Sequence, residues 1–381
     1  MRLLFVVESG TDVRLVDGLA ERNEVVVFAR RIRCGREISQ ALTTPSQVIA
    51  GPASRFLFAA AAAALVLRRR RSYDHVLTQG FGVASVLVNA AARLGGLPAT
   101  MLVCSPTQAY FRLRRDGVLA WGALRALGAA ALGLAGRLNS VLGRQYVVLS
   151  PHLARVVAAS GTRRPVHVVP AYGVDTDRFV PAGVPRQAVR ERLGLPVEGS
   201  LLFFSSRVAP EKDASTLLEA LARLCAEGRD VRLLHRSGGF REFAALAQRH
   251  GVGDRVIASD AVHPEDLPAS YQASDMCVQA SRAEGLGFSV LEALACEVPV
   301  VAAAVGGLLD TIMPGETGWT YPVGDAGALA CAIAAALDDP AEARRRAAAG
   351  RRMVGEKYER RAVFASMQEV LEPPKRTAAT R

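Results

Sequence analysis

A chain of 381 residues, half of them apolar and 22% charged, is long enough for two domains and too apolar to remain an unfolded chain. Its net charge of +11 comes almost wholly from arginine, since Lys212, Lys357 and Lys375 are the lysines, and it favours nucleotides, anionic lipid or nucleic acid as partners. The six cysteines (Cys34, Cys104, Cys225, Cys277, Cys296, Cys331) form no C-x-x-C pair, which argues against a disulfide framework or zinc site and for a reducing, cytoplasmic setting.

The N-terminus, Met1–Glu8, reads as a first strand rather than a signal peptide. Further strands are expected at Glu24–Ala29, Val48–Ala50, His75–Thr78, Thr100–Cys104, Tyr146–Leu149 and Val166–Val169. Helices are expected at Arg55–Arg69, Val83–Leu94 and Leu119–Leu142. This alternation predicts a doubly wound parallel sheet. It restarts at Ser200–Ser205 after a link near Pro170–Pro185, so the chain reads as two α/β halves. Within the link, Asp175 and Asp177 form a D-x-D pair, read as a turn organised by side-chain to backbone bonds rather than a metal site.

The second half continues with a basic loop, Ser205-Ser206-Arg207-Val208-Ala209-Pro210-Glu211-Lys212-Asp213, ahead of a helix over Ser215–Cys225. Lys212 stands out in a chain that spells nearly every other cation as arginine, and a compact, mobile ammonium suits a diphosphate. Strands follow at Val231–His235 and Val256–Ala258, then a helix over Leu267–Ala273 and a strand over Asp275–Gln279. Next comes the stretch Ser281–Gly307, with Glu284 and Glu292 separated by seven residues. Gly285 and Gly287 place Glu284 in a loop, and a helix starts near Phe288 and stops before Pro299. Glu292 is expected to project from that helix off its buried stripe. Unpaired N–H groups at the helix start suit an anion, and carboxylates beside them suit its hydroxyls. Together these describe a nucleotide-sugar site. An alanine-rich helix over Asp325–Leu337 and further helices to about Leu371 close the chain, with Pro373–Arg381 a frayed tail.

The order Glu-Gly-x-Gly, helix, Glu, Pro, apolar strand and Gly306-Gly307 resembles the donor signature of retaining glycosyltransferases of family 4, the glycosyl transferases group 1, which have the GT-B architecture. The segment Arg207–Asp213 is similar to the family's Gly-Arg-x-x-x-x-Lys-Gly element, with Ser206 and Asp213 in place of the flanking glycines. The resemblance is strong over Leu201–Leu337 and diffuse over the first 170 residues. It implies two Rossmann-like domains facing a central cleft: an acceptor-side domain over 1–175, a donor domain over 176–356, and a helix over about 357–372 crossing back. It assigns Arg207 and Lys212 to the donor diphosphate, Glu284 to the sugar hydroxyls and Glu292 to the ribose. Gly10, Gly285, Leu286, Gly287, Phe288 and Ser289 would line the substrate. Neither metal nor cofactor is implied, and the co-substrate is expected to be UDP- or GDP-linked.

Some residues depart from that pattern. After the first strand the chain reads Glu8-Ser9-Gly10-Thr11 where relatives often have two glycines. Glycine directly after Val231–His235 is displaced to Gly238 and Gly239. The loops after the fourth and fifth strands carry no histidine, and Gln79, Ser105 and Gln108 are the residues there able to offer an acceptor neutral hydrogen bonds. His75 lies inside its strand and reads as structural. Cys104-Ser105 has no His/Asp partner pattern for covalent catalysis.

Arg68–Arg71, after an apolar helix too short to span a bilayer, read either as a solvated helix end or as peripheral docking on anionic lipid with Arg112, Arg114, Arg115 and Trp121. A nucleic-acid surface would want aromatics interleaved with its cations throughout, and no nucleic-acid partner is expected. The expected function is transfer of a sugar from a nucleotide diphosphate to a glycan or lipid-linked acceptor. A nucleotide-sugar epimerase and a catalytically silent nucleotide-sugar-binding protein are the alternatives.

Overall fold

The computed structural model describes residues 1–31, 42–44, 46–80, 82–114 and 122–372. Cys34, Arg115, Trp121 and the tail from Pro373, named above, lie outside them. The chain divides into two compact units, Met1–Gly173 joined by the residues from Arg361 onward, and Val174–Arg360.

The first unit contains strands β1 (Arg2–Val7), β2 (Glu24–Arg30), β3 (Gln47–Gly51), β4 (His75–Gln79), β5 (Ala99–Val103), β6 (Gln145–Val148) and β7 (Val166–Val168). Its helices are α1 (Val13–Ala20), α2 (Arg55–Arg68), α3 (Val83–Gly95), α4 (Thr107–Leu113), α5 (Gly122–Leu142) and α6 (Pro151–Ala158). The strands pair in parallel in the order β3-β2-β1-β4-β5-β6-β7. Unbroken apolar runs such as Leu3–Val7 and Val25–Ala29 are buried along their length, as parallel strands covered by helices on both faces require. Local chemistry fixes the helix starts: Asp12 accepts from Arg14 N at 2.9 Å, and Ser150 accepts from Leu153 N at 3.2 Å ahead of Pro151.

The second unit contains helices α7 (Arg186–Arg192), α8 (Ala214–Ala226), α9 (Phe240–Arg249), α10 (Leu267–Gln272), α11 (Phe288–Ala295), α12 (Leu308–Thr311), α13 (Ala326–Asp338) and α14 (Pro340–Lys357). Its strands are β8 (Ser200–Phe204), β9 (Val231–Arg236), β10 (Val256–Ser259), β11 (Met276–Gln279), β12 (Val300–Ala303) and β13 (Trp319–Tyr321), parallel in the order β10-β9-β8-β11-β12-β13. On one face Leu217, Leu221, Phe243, Leu329 and Ile333 from α8, α9 and α13 make the core. On the other, α11 packs against α14, where Gly350 lets Leu294 come so close that a Cβ would stand 2.5 Å from its Cδ2. Arg351 caps that contact by donating to the Ala295 carbonyl.

The last helix, α15 (Arg360–Leu371), packs on the first unit from Arg361 onward. Gln368 accepts from Asn23 Nδ2 at 2.9 Å, and the Val370 carbonyl accepts from Gln145 Nε2 at 2.8 Å.

Candidate functional site

In a doubly wound sheet the strand order reverses where two crossovers leave for opposite faces, and the loops beyond those carboxyl ends part to leave a crevice. In the second unit that reversal lies between β8 and β11. The loop after β8 is Ser205–Asp213 and the loop after β11 is Ala280–Gly287, so the basic loop and the Glu-Gly-x-Gly turn meet at one edge.

Lys212 sits at the end of a single turn of 3-10 helix, Pro210–Lys212, begun by a proline whose φ suits it. Asp213 follows at φ 47°, the left-handed conformation that glycine takes without strain and aspartate tolerates better than most. Its carboxylate accepts from Thr216 Oγ1 at 2.8 Å and Arg282 Nε at 2.7 Å, which ties the two loops together. Lys212 Nζ then reaches Glu284 and forms an ion pair with its Oε2. Both side chains are mostly shielded, 16% and 11% exposed, so the pair is screened far less than one in open solvent. Glu284 Oε2 also accepts from Ser281 Oγ at 3.2 Å, and Oε1 from Gly285 N at 3.2 Å.

The Gly306-Gly307 pair explains how Glu284 is held. A Cβ on Gly306 would lie 2.3 Å from the Glu284 carbonyl oxygen, and one on Gly307 would lie 2.1 Å from that of Gly285. Gly307 N donates to the Glu284 carbonyl at 3.0 Å. These glycines therefore seat the carboxylate loop. Gly287, at φ 93°, turns the chain into α11, and half-buried Ser289 donates from Oγ to Gln279 Oε1 at 3.0 Å. Leu286 is buried, so its main chain alone is presented. Phe288 is half-buried at the helix start.

Glu292 is not off the buried stripe as its spacing suggested. It is 4% exposed, and its Oε2 accepts from Tyr271 Oη at 2.9 Å. The reason is α10, which lays Tyr271 against α11 and gives the carboxylate a buried donor. Ser205 Oγ lies 3.3 Å from the same hydroxyl and donates to it, since the one phenolic proton goes to Glu292. Burial first, and the charge of Glu292 second, push the Tyr271 hydroxyl well above its ordinary pKa, so it remains a donor.

Arg207, whose side chain is 65% exposed, lies 4.0 Å from buried Glu211. Gly10 belongs to the first unit, at φ 102°, with its carbonyl accepting from Gln79 Nε2 at 3.2 Å. Ser105 and Gln108 line a cavity of about 610 Å3 in that unit, together with Thr107, Leu134, Arg137 and Val157. Cys104 offers no thiolate, because burial and the nearby Asp12 push its pKa up to about 12. His75 is buried in β4 with Nε2 2.8 Å from Thr100 Oγ1. Asp175 accepts from the main-chain N–H groups of Asp177 and Arg178, each at 3.2 Å, the turn expected for it.

Sequence reasoning missed Tyr271, Gln279 and Ser281. Gln279 is fully buried at the end of β11 and donates from Nε2 to Ser281 Oγ at 2.7 Å. A polar residue closing the run Met-Cys-Val-Gln was the available signal, since a buried amide demands partners.

The family model described as "Glycosyl transferases group 1" matches residues 185–353. The chain is 40% identical over 200 residues to the D-inositol 3-phosphate glycosyltransferase of Xylanimonas cellulosilytica, covering 51% of this chain and 48% of that protein. It is 33% identical to the GDP-mannose-dependent alpha-(1-6)-phosphatidylinositol monomannoside mannosyltransferase of Mycolicibacterium smegmatis, over 57% of this chain and 59% of that one. The chain thus spans about half the length of these curated relatives. Among solved structures, Anabaena HepE in complex with UDP and glucose aligns with a TM-score of 0.76 at 20% identity, covering 97% of this chain and 99% of that one. This likeness shows the fold, two Rossmann-like doubly wound domains of the GT-B class. The strand-order reversal and the meeting of the two loops lie within the second unit, over the residues 185–353 that match the glycosyl transferases group 1 model.

Proposed function

We propose that the chain is a retaining, family 4 glycosyltransferase that moves a hexose from a nucleoside diphosphate to an acceptor hydroxyl, in the synthesis of a cell-surface glycan or glycolipid. The observation that carries this reading is the Lys212–Glu284 ion pair at the β8–β11 reversal, beside the start of α11. It sets a mobile cation and a hydroxyl-accepting carboxylate side by side, which is what a sugar diphosphate requires. The relatives named above as glycosyltransferases and the UDP in the HepE structure support it.

In this mechanism the anomeric C–O bond breaks with its electron pair passing to the diphosphate. Lys212 exchanges Glu284 for a phosphate oxygen and, with Arg207 and the main-chain N–H groups of Gly287–Ser289, stabilises the growing charge. Glu284, released, accepts from sugar hydroxyls. Glu292, oriented by Tyr271, accepts from the ribose. The acceptor hydroxyl enters on the face the diphosphate leaves and gives its proton to the departing phosphate oxygen, which retains configuration. Because protein cations meet the phosphate charge, no metal is required, and a chelator leaves turnover unchanged.

The acceptor is taken to be a glycan or a lipid-linked alcohol. Peripheral contact with an anionic membrane belongs to the same proposal, since α2 and α3 pack together and expose Phe56, Leu57 and Leu94, with Arg68–Arg71 at the end of α2. Among the described residues no helix is long and apolar enough to cross a membrane.

The test is nucleotide release and product analysis with a panel of UDP-, GDP- and ADP-sugars. Transfer with retained configuration, reduced ~10²–10³-fold by Lys212→Ala, is expected. Binding without release for any acceptor, or a changed sugar without acceptor, would replace this reading by a silent binding protein or an epimerase.

A further inference from the structure

Arg236 is the last residue of β9, the strand beside β8. Successive side chains of a strand point to opposite faces. His235 turns to the α9 side, its ring 4.0 Å from that of Phe243. Arg236 therefore points to the α10 side, where Nη1 donates to Ser270 Oγ at 3.3 Å. Ser270 precedes Tyr271, the residue that holds Glu292. The guanidinium thus stands one residue from the group expected to orient the ribose.

Its Nε–H is buried with no acceptor. Such a donor costs roughly 1–3 kcal/mol, so the fold by itself gives no reason to place an arginine here. A guanidinium presents its donors as a planar fork that fits two adjacent acceptors. If the diphosphate lies at the β8–β11 reversal and the ribose at Glu292, the base extends along the sheet edge toward β9.

We propose that Arg236 is the residue that selects the donor's nucleobase, and that it selects guanine. The inference rests on reading this edge as a nucleotide site. Guanine offers O6 and N7 as neighbouring acceptors, the pair a guanidinium meets with two bonds. Uracil offers O4 beside an N3–H donor, which permits one bond. Adenine sets an amino donor beside N7, which opposes the fork.

Calorimetric titration of the full chain with GDP, UDP and ADP tests this. Wild type binds GDP at least tenfold more tightly than UDP or ADP. Arg236→Met, which keeps the apolar stem, and Arg236→Lys, which keeps the charge without the fork, each weaken GDP 10- to 100-fold and change UDP less than threefold. Melting curves like wild type's show that the variants fold. If GDP is not preferred, or if both variants retain the preference, Arg236 does not read the base and the nucleotide site still stands. If wild type binds none of the three, the site reading falls and takes this inference with it.

Discussion

Lys212 and Glu284, 72 residues apart in the chain, form an ion pair at the strand-order reversal of the second sheet. Removing one partner leaves the other's largely buried charge without its counter-ion, which is more costly than removing both. Lys212→Ala is therefore expected to destabilise the second unit by about 2 kcal/mol, and Lys212→Ala/Glu284→Ala by less than the sum of the single changes. Urea unfolding of the four proteins of this cycle gives the coupling. Additive losses would mean the pair contributes nothing to the fold.

Tyr271→Phe deletes the donor to Glu292 and leaves that buried carboxylate with one hydrogen bond fewer. Stability should fall by about 1–3 kcal/mol. Nucleoside diphosphate affinity should fall at least threefold, while affinity for pyrophosphate stays as in wild type. Equal weakening of both ligands would place Tyr271 away from the ribose.

Gly307→Ala forces a methyl group to within 2.1 Å of the Gly285 carbonyl oxygen and 2.7 Å of the Leu286 Cα, neither of which is a flexible side-chain end. The loop bearing Glu284 must shift, at a cost of about 1–3 kcal/mol. Gly315→Ala is the comparison for packing alone, because a methyl group there would meet no atom within 4 Å, although its φ of 81° adds strain. A lower Tm with lost donor binding is expected for Gly307→Ala, and a lower Tm with donor binding kept for Gly315→Ala.

Burial pushes the pKa of His75 from 6.5 down to about 4, opposed by its bond to the Leu371 main chain. The folded value lies below the unfolded one, so between them the unfolded state binds more protons. The stability this represents, about 3 kcal/mol, is complete above pH 6.5 and disappears as the pH falls toward 4. Urea midpoints for wild type should drop over that window more steeply than those of His75→Gln. Parallel curves would assign the acid sensitivity to other groups.

Much of the site was legible before any coordinates. Glycine and proline punctuation placed the loops at Ser205–Asp213 and Glu284–Gly287, and the rarity of lysine singled out Lys212. Those signals are local: they depend on φ limits, helix starts and residue choice within a few positions. The fate of Glu292 was not legible, because its burial depends on Tyr271, brought from another helix. Gln279 was hidden for the same reason, since its partners Ser281 and Ser289 converge through a strand, a loop and a helix.

The sequence by itself determined the alternation of strands and helices, the two α/β halves and the residue types of the candidate site, since apolar period and turn chemistry act along the chain. Only the tertiary structure decided that Lys212 faces Glu284, that Gly306 and Gly307 serve loop packing, and that Arg236 turns toward α10. Strand order makes distant loops neighbours, and a one-dimensional pattern holds no record of which edges will adjoin.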